Sequence, residues 1–133
     1  MGTVEPVSFG IGRSLDSTFA DAVDRVKAAF KAEGFGVITE VDFQKTLKEK
    51  IGEEIEPYMI LGMCNPNIAS QALKVEHEIG LLLPCNVIVH ECGGKVHVAA
   101  QDPISLMSIA KSPELMPYAQ EVRSALEKAM KLV

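Results

Sequence analysis

A chain of 133 residues with 47% hydrophobic and 23% charged residues has the size and make-up of one ordinary globular domain, spanning 1–133. Its net charge of −5 argues against nucleic-acid binding, which needs clustered Lys and Arg, and the absence of Trp argues against a base-stacking surface. Lys45, Lys48 and Lys50 alternate with Glu49, Glu53 and Glu54, the pattern of a solvated helix face and not of a phosphate-binding stripe. Met1–Pro6 lacks the basic cluster and apolar run of a secretory signal. Pro6 also stands where a myristoylation motif wants Ser or Thr, so acylation of Gly2 is not expected. Pro84 and Asn86 interrupt the longest apolar stretch, leaving it too short to span a bilayer, so no membrane partner is expected. Three cysteines in a chain without a signal favour reduced thiols over a disulfide framework, and the expected address is the cytoplasm.

In chain order, Val7 to Arg13 reads as a first strand with Val7, Phe9 and Ile11 on one face. Thr18 and Asp21 have capping-box spacing, and Phe19, Val23, Val26 and Phe30 recur at helical spacing up to Gly34. Gly36 to Val41 reads as a second strand. Asp42 is placed to cap a short helix carrying Phe43, Leu47 and Ile51, which ends at Gly52. Tyr58 to Met63, bounded by Pro57 and Asn65, is a buried strand. Asn65-Pro66 opens a third helix carrying Ile68, Ala72, Leu73 and Val75. Asn86 to Glu91 and Lys95 to Gln101, joined by Gly93-Gly94, make the clearest hairpin. Asp102-Pro103 and Ser112-Pro113-Glu114 start two last helices. The final one carries the stripe Leu115, Ala119, Val122, Leu126 and Met130, with Lys128 and Lys131 suiting its carboxyl end. The sum is an α+β domain with helices covering a mainly antiparallel sheet of about five strands. Strand order is not legible in these residues.

Cys64-Asn65-Pro66 and Leu83-Pro84-Cys85-Asn86-Val87 are motifs that resemble those of the family known as domain of unknown function 302. Gly34-Phe35, Gly62, Ile79-Gly80-Leu81-Leu82-Leu83-Pro84 and Asp102-Pro103 fit the wider pattern, so the resemblance covers nearly the whole chain. It implies a curved antiparallel sheet with a long C-terminal helix packed on it, and a homodimer. It implies no established activity, and the cofactor stays unknown. Cys92 lies outside the family pattern.

Cys64 and Cys85 are the leading candidate catalytic pair. Cys64 precedes a helix start, where the dipole favours a thiolate, and Cys85 begins the hairpin, so the two ends of neighbouring strands bring them within reach of each other. The plainer alternative is that both are small buried apolar residues. Their spacing is neither a thioredoxin nor a zinc-ribbon signature. Asn65, Pro66 and Asn86 are the candidate ligand-binding neighbours. Capping explains Asn65, whereas Asn86 enters an apolar strand and needs a partner. A two-residue Gly93-Gly94 turn sets His90 opposite His97, with Cys92 on the same face and Val87, Val89, Val96, Val98 and Ala100 on the other. Two imidazoles and a thiolate suit zinc or copper, but an exposed or dimer-facing polar pair at the hairpin end is preferred, because a tetrahedral site needs a fourth ligand. Glu76, His77 and Glu78 offer a general base, and a solvated helix end accounts for them as well. No phosphate loop, nucleophile elbow or His-Glu-x-x-His is present.

Three functions are compatible with this pattern. The first is a thiol-centred protein of sulfur, redox or metal handling through Cys64 and Cys85. The second is a non-enzymatic module binding a small apolar ligand. The third is a dimeric accessory subunit, with the sheet face bearing Ile88 and Ala99 as the contact surface.

Overall fold

The structure, a computed structural model, describes residues 6–133; the acylation and signal readings at Gly2 and its neighbours lie outside them. Five strands alternate with helices: β1 (Gly10–Leu15), α1 (Phe19–Ala32), β2 (Gly36–Asp42), α2 (Phe43–Ile51), β3 (Tyr58–Cys64), α3 (Pro66–Val75), β4 (Cys85–Cys92), β5 (Lys95–Gln101), α4 (Pro103–Ala110) and α5 (Met116–Leu132). Short 3-10 turns at His77–Leu82 and Pro113–Leu115 lead into β4 and α5. Every strand pairing is antiparallel, in the order β1-β5-β4-β3-β2, so both edges are supplied by the first two strands. The fold is α+β, as the alternation of patterns predicts.

Local chemistry sets most boundaries. Thr18, Asp42, Asn65 and Asp102 each accept a backbone amide of the helix that follows, satisfying one of its free donors. Gly34 and Gly52 adopt positive φ where α1 and α2 stop. Gly93 and Gly94 both sit at positive φ, and the resulting two-residue turn pairs His90 with His97 and Cys92 with Lys95 in the expected register.

That register sorts the side chains by face. Leu61, Met63, Val87, Val89, Val96, Val98 and Ala100 are buried against α1 and α5, through Val26, Ala29 and Phe30 on one helix and Leu126, Ala129 and Met130 on the other. Each fully buried side chain of this size stabilises the domain by roughly 1.5–3 kcal/mol. A second, smaller core of Ala72, Ile79, Met107, Leu115 and Ala119 joins α3, α4 and the start of α5 beyond the sheet. The opposite sheet face carries Tyr58, Ile60, Ile88 and Ala99, all only half-buried.

Four expectations are corrected. The first strand begins at Gly10, because residues before it turn back, with the Gly10 amide donating to the Val7 carbonyl. Val7 and Phe9 are therefore exposed, and the inward residues are Ile11, Arg13 and Leu15, opposite Ala100, Val98 and Val96. Arg13 turns its guanidinium to the Met130 carbonyl at 3.0 Å, near the end of α5. Ser112 does not cap the last helix; its hydroxyl donates to the Glu114 carboxylate, and the chain enters α5 through a 3-10 turn. Glu76 does not merely trail α3, since its carboxylate accepts the Glu78 amide and starts the next turn. On α3, Leu73 and Val75 stay exposed, leaving Ile68 and Ala72 as the buried pair.

Candidate functional site

The end of β3 and the start of β4 lie side by side, with Met63 opposite Cys85 and Cys64 the next residue along. Both cysteines line one cavity of about 320 Å³, closed by α3, α4, the Pro113–Leu115 turn and α5. Its lining is almost wholly apolar: Met63, Ile68, Ala72, Met107, Leu115 and Val122 contribute hydrocarbon, and Asn65 and Tyr118 supply the few polar atoms. The three cysteines are unlinked.

Burial pushes the Cys85 thiol up to about 11, and the Cys64 thiol, close enough to act electrostatically, adds to the shift. At neutral pH Cys85 is therefore protonated and a poor nucleophile. Cys64 is half-buried, one residue before the cap of α3. The Ile68 amide at that helix start is taken by the Asn65 side chain at 3.3 Å.

The remaining motif residues separate. Asn65 packs its amide against Gly34, where an added Cβ would lie 3.1 Å from its nitrogen. Pro66 occupies the first turn of α3, exposed and outside the apolar cavity. Asn86 is exposed on the open sheet face, and its backbone amide donates to the Gln101 side chain at 2.8 Å. The motif thus spans both faces of the sheet, and Asn86 does not share the cavity of the two cysteines.

His90 and His97 are cross-strand neighbours with ring centroids 5.4 Å apart. Tyr58 stacks on His90 from β3 at 5.1 Å, and Ser14 on β1 bonds the Nδ1 atom of His97 at 2.9 Å. A row of four side chains thus crosses four strands. His97 is buried at 6% exposure because β1 covers it from the side, so the exposed setting does not hold for it, while His90 is half-buried. Burial and the neighbouring His97 hold His90 below the ordinary histidine range. Among the described residues no three His, Cys, Asp or Glu side chains converge as a metal would require, so Cys92 does not complete a ligand set with the two histidines. Ser14 and Tyr58 escaped the sequence reading. Strand alternation places each on this face, but only the β1–β5 and β3–β4 pairings make them neighbours of the histidines.

The model of the family described as "Domain of unknown function DUF302" matches residues 11–133. The chain belongs to this family. Like a DUF302 protein of known structure, described as "uncharacterized conserved protein DUF302 from Bacillus stearothermophilus", it forms an open five-stranded sheet packed with helices. The two share 25% sequence identity and superpose with a TM-score of 0.88, over 94% of this chain and 98% of that one. No curated protein matches the chain. Asp102-Pro103, part of the DUF302-like pattern, has a structural role here: Asp102 caps α4, accepts from Ser105 and pairs with Arg123 of α5 at 3.0 Å. Among the described residues, no helix of this DUF302 chain is long and apolar enough to cross a membrane.

Proposed function

We propose that this DUF302 protein is a non-enzymatic binding module whose ligand is a small apolar molecule held beside Cys64 and Cys85. The carrying observation is the 320 Å³ cavity, within the size range of small-ligand sites and lined by apolar groups from the sheet and from three helices. The upward shift of Cys85 to about 11 reflects the same property, an environment that resists charge. Binding is tested with the neutral dye N-phenyl-1-naphthylamine. A saturable one-to-one fluorescence rise is expected, and Ala69→Trp, which plugs the cavity from its half-buried rim, should abolish it. No saturable rise, or one that the plugged variant leaves intact, would sink the proposal.

One observation supports a second, thiol-centred reading: both cysteines face the same cavity. In that reading Cys64 is the reactive thiol and Cys85 its protonated partner. It ranks second because Cys85, which keeps its proton to about 11, offers Cys64 no ionised partner for metal binding or thiol exchange at pH 7. Three unlinked cysteines fit a reducing, cytoplasmic setting. A homodimer through the half-buried face bearing Ile88 and Ala99 completes the proposal, since such an apolar face on a soluble chain calls for a covering surface.

A further inference from the structure

The histidine row borders a second cavity, of about 290 Å³, on the sheet face opposite α1 and α5. It shares no lining residue with the cavity of Cys64 and Cys85. Its walls include Val7, Phe9, Ile88 and Ala99, and Gly12 leaves part of the floor without a side chain. Ser14, His90 and His97 supply the polar groups. Apolar walls around a few grouped polar atoms are the usual composition of a small-ligand site.

His97 is the group that calls for an occupant. Its Nδ1 atom is satisfied by Ser14, whereas its Nε2 atom is buried without a hydrogen-bond partner. Buried polar atoms are nearly always paired, because leaving one unpaired forfeits its hydration with no return. The Ser14 hydroxyl can donate to Nδ1 or accept from it, so Nε2 is either a donor or an acceptor. A ligand hydroxyl serves both cases. No Lys, Asp or Glu lines the cavity, and the Arg13 side chain leaves it for the other sheet face, where its guanidinium reaches the Met130 carbonyl of α5, so no fixed charge stands in the cavity to match an ionised ligand. A cavity of about 150 Å³ already holds one benzene ring, so this one accommodates a ring and its substituent.

We propose that this cavity binds a small, uncharged, one-ring compound with a single hydroxyl, a phenol in chemical class, whose oxygen pairs with Nε2 of His97. Nε2 itself is sealed from solvent, so pairing requires the imidazole to turn toward the cavity as the ligand enters.

The test titrates phenol and, separately, toluene into nitrogen-labelled full-length protein and follows the imidazole nitrogens by NMR. Phenol is expected to shift the His97 nitrogens saturably and to bind at least about tenfold more tightly than toluene, which carries a methyl group in place of the hydroxyl. His97→Phe keeps an aromatic ring in the row and removes both nitrogens; it should reduce phenol affinity to that of toluene. Ile88→Trp fills the cavity while leaving both imidazoles in place, and should abolish both ligands. Unmoved His97 nitrogens, equal affinities for phenol and toluene in the native protein, or shifts confined to the Cys64 and Cys85 cavity would each overturn the proposal.

Discussion

Cys85 and Asp102 show how single residues tie the motif to stability. The Cys85 thiol is raised in the folded state, so the native protein holds this proton after the unfolded chain has released it. Its contribution is complete below the ordinary thiol range and is lost as pH rises through about 11. The denaturant midpoint of the native protein should therefore fall between about pH 9 and 11 by more than that of Cys85→Ala, the difference amounting to about 1–3 kcal/mol. Parallel curves for the two proteins would show that the buried thiol does not titrate as the fold implies. At neutral pH, mass mapping of iodoacetamide adducts should find Cys64 modified before Cys85, whose burial keeps it protonated. Asp102 is 8% exposed and serves α4, Ser105 and Arg123 at once. Asp102→Ala removes a cap and leaves the Arg123 guanidinium without this partner, at a cost of about 1–3 kcal/mol in urea unfolding.

Among the elements, β3 has the least freedom to change. Gly62 sits between β2 and the Leu83–Pro84 segment, where an added Cβ would collide with Thr39 Oγ1 and lie 2.8 Å from Pro84 Cγ. A threonine can rotate, but a proline ring cannot. Gly62→Ala is therefore expected to destabilise the protein by about 1–3 kcal/mol and to displace the segment leading into Cys85. An unchanged midpoint would mean that this loop yields without cost. By contrast, α2 has no buried residue, and Phe43 reaches Tyr58 only in a tilted contact at 6.0 Å. Its amphipathic spacing is real, yet burial is shallow because α2 packs mainly on the edge strand β2 and its neighbour β3. Apolar periodicity reveals which side of a helix faces inward, but not how much protein lies there to cover it.

For the whole molecule, the two-faced sheet divides the chemistry. Helices α1 and α5 cover one face, while Tyr58, Ile60, Ile88 and Ala99 are half-buried on the other. A homodimer through that face should appear by light scattering at micromolar concentration as twice the mass of the 14.4 kDa chain. Ile88→Lys, which sets a charge in the contact, should return it to monomer. A native protein that stays monomeric would remove the dimer from the proposal. Phenol in the neighbouring cavity, which Ile88 and Ala99 also line, competes for the same surface and should shift the balance toward monomer.

Local physics alone determined much of this protein. Caps at Thr18, Asp42, Asn65 and Asp102, positive-φ glycines and the Gly93-Gly94 turn act within a few residues of themselves, so the helices after them and the β4–β5 register were legible in the sequence. The strand ends carrying Cys64 and Cys85 were legible too. The β1-β5-β4-β3-β2 order was not, because it depends on packing between segments far apart in the chain. That order sets Ser14 beside His97 and buries an imidazole that period-two alternation alone leaves at an exposed hairpin end. Likewise, α4 and α5 close the cavity over the two cysteines with Met107, Leu115 and Tyr118, residues whose local pattern signals only a buried stripe. Whether a polar group is satisfied, or a thiol is kept from water, depends on distant segments arriving around it, and only the tertiary structure decides that.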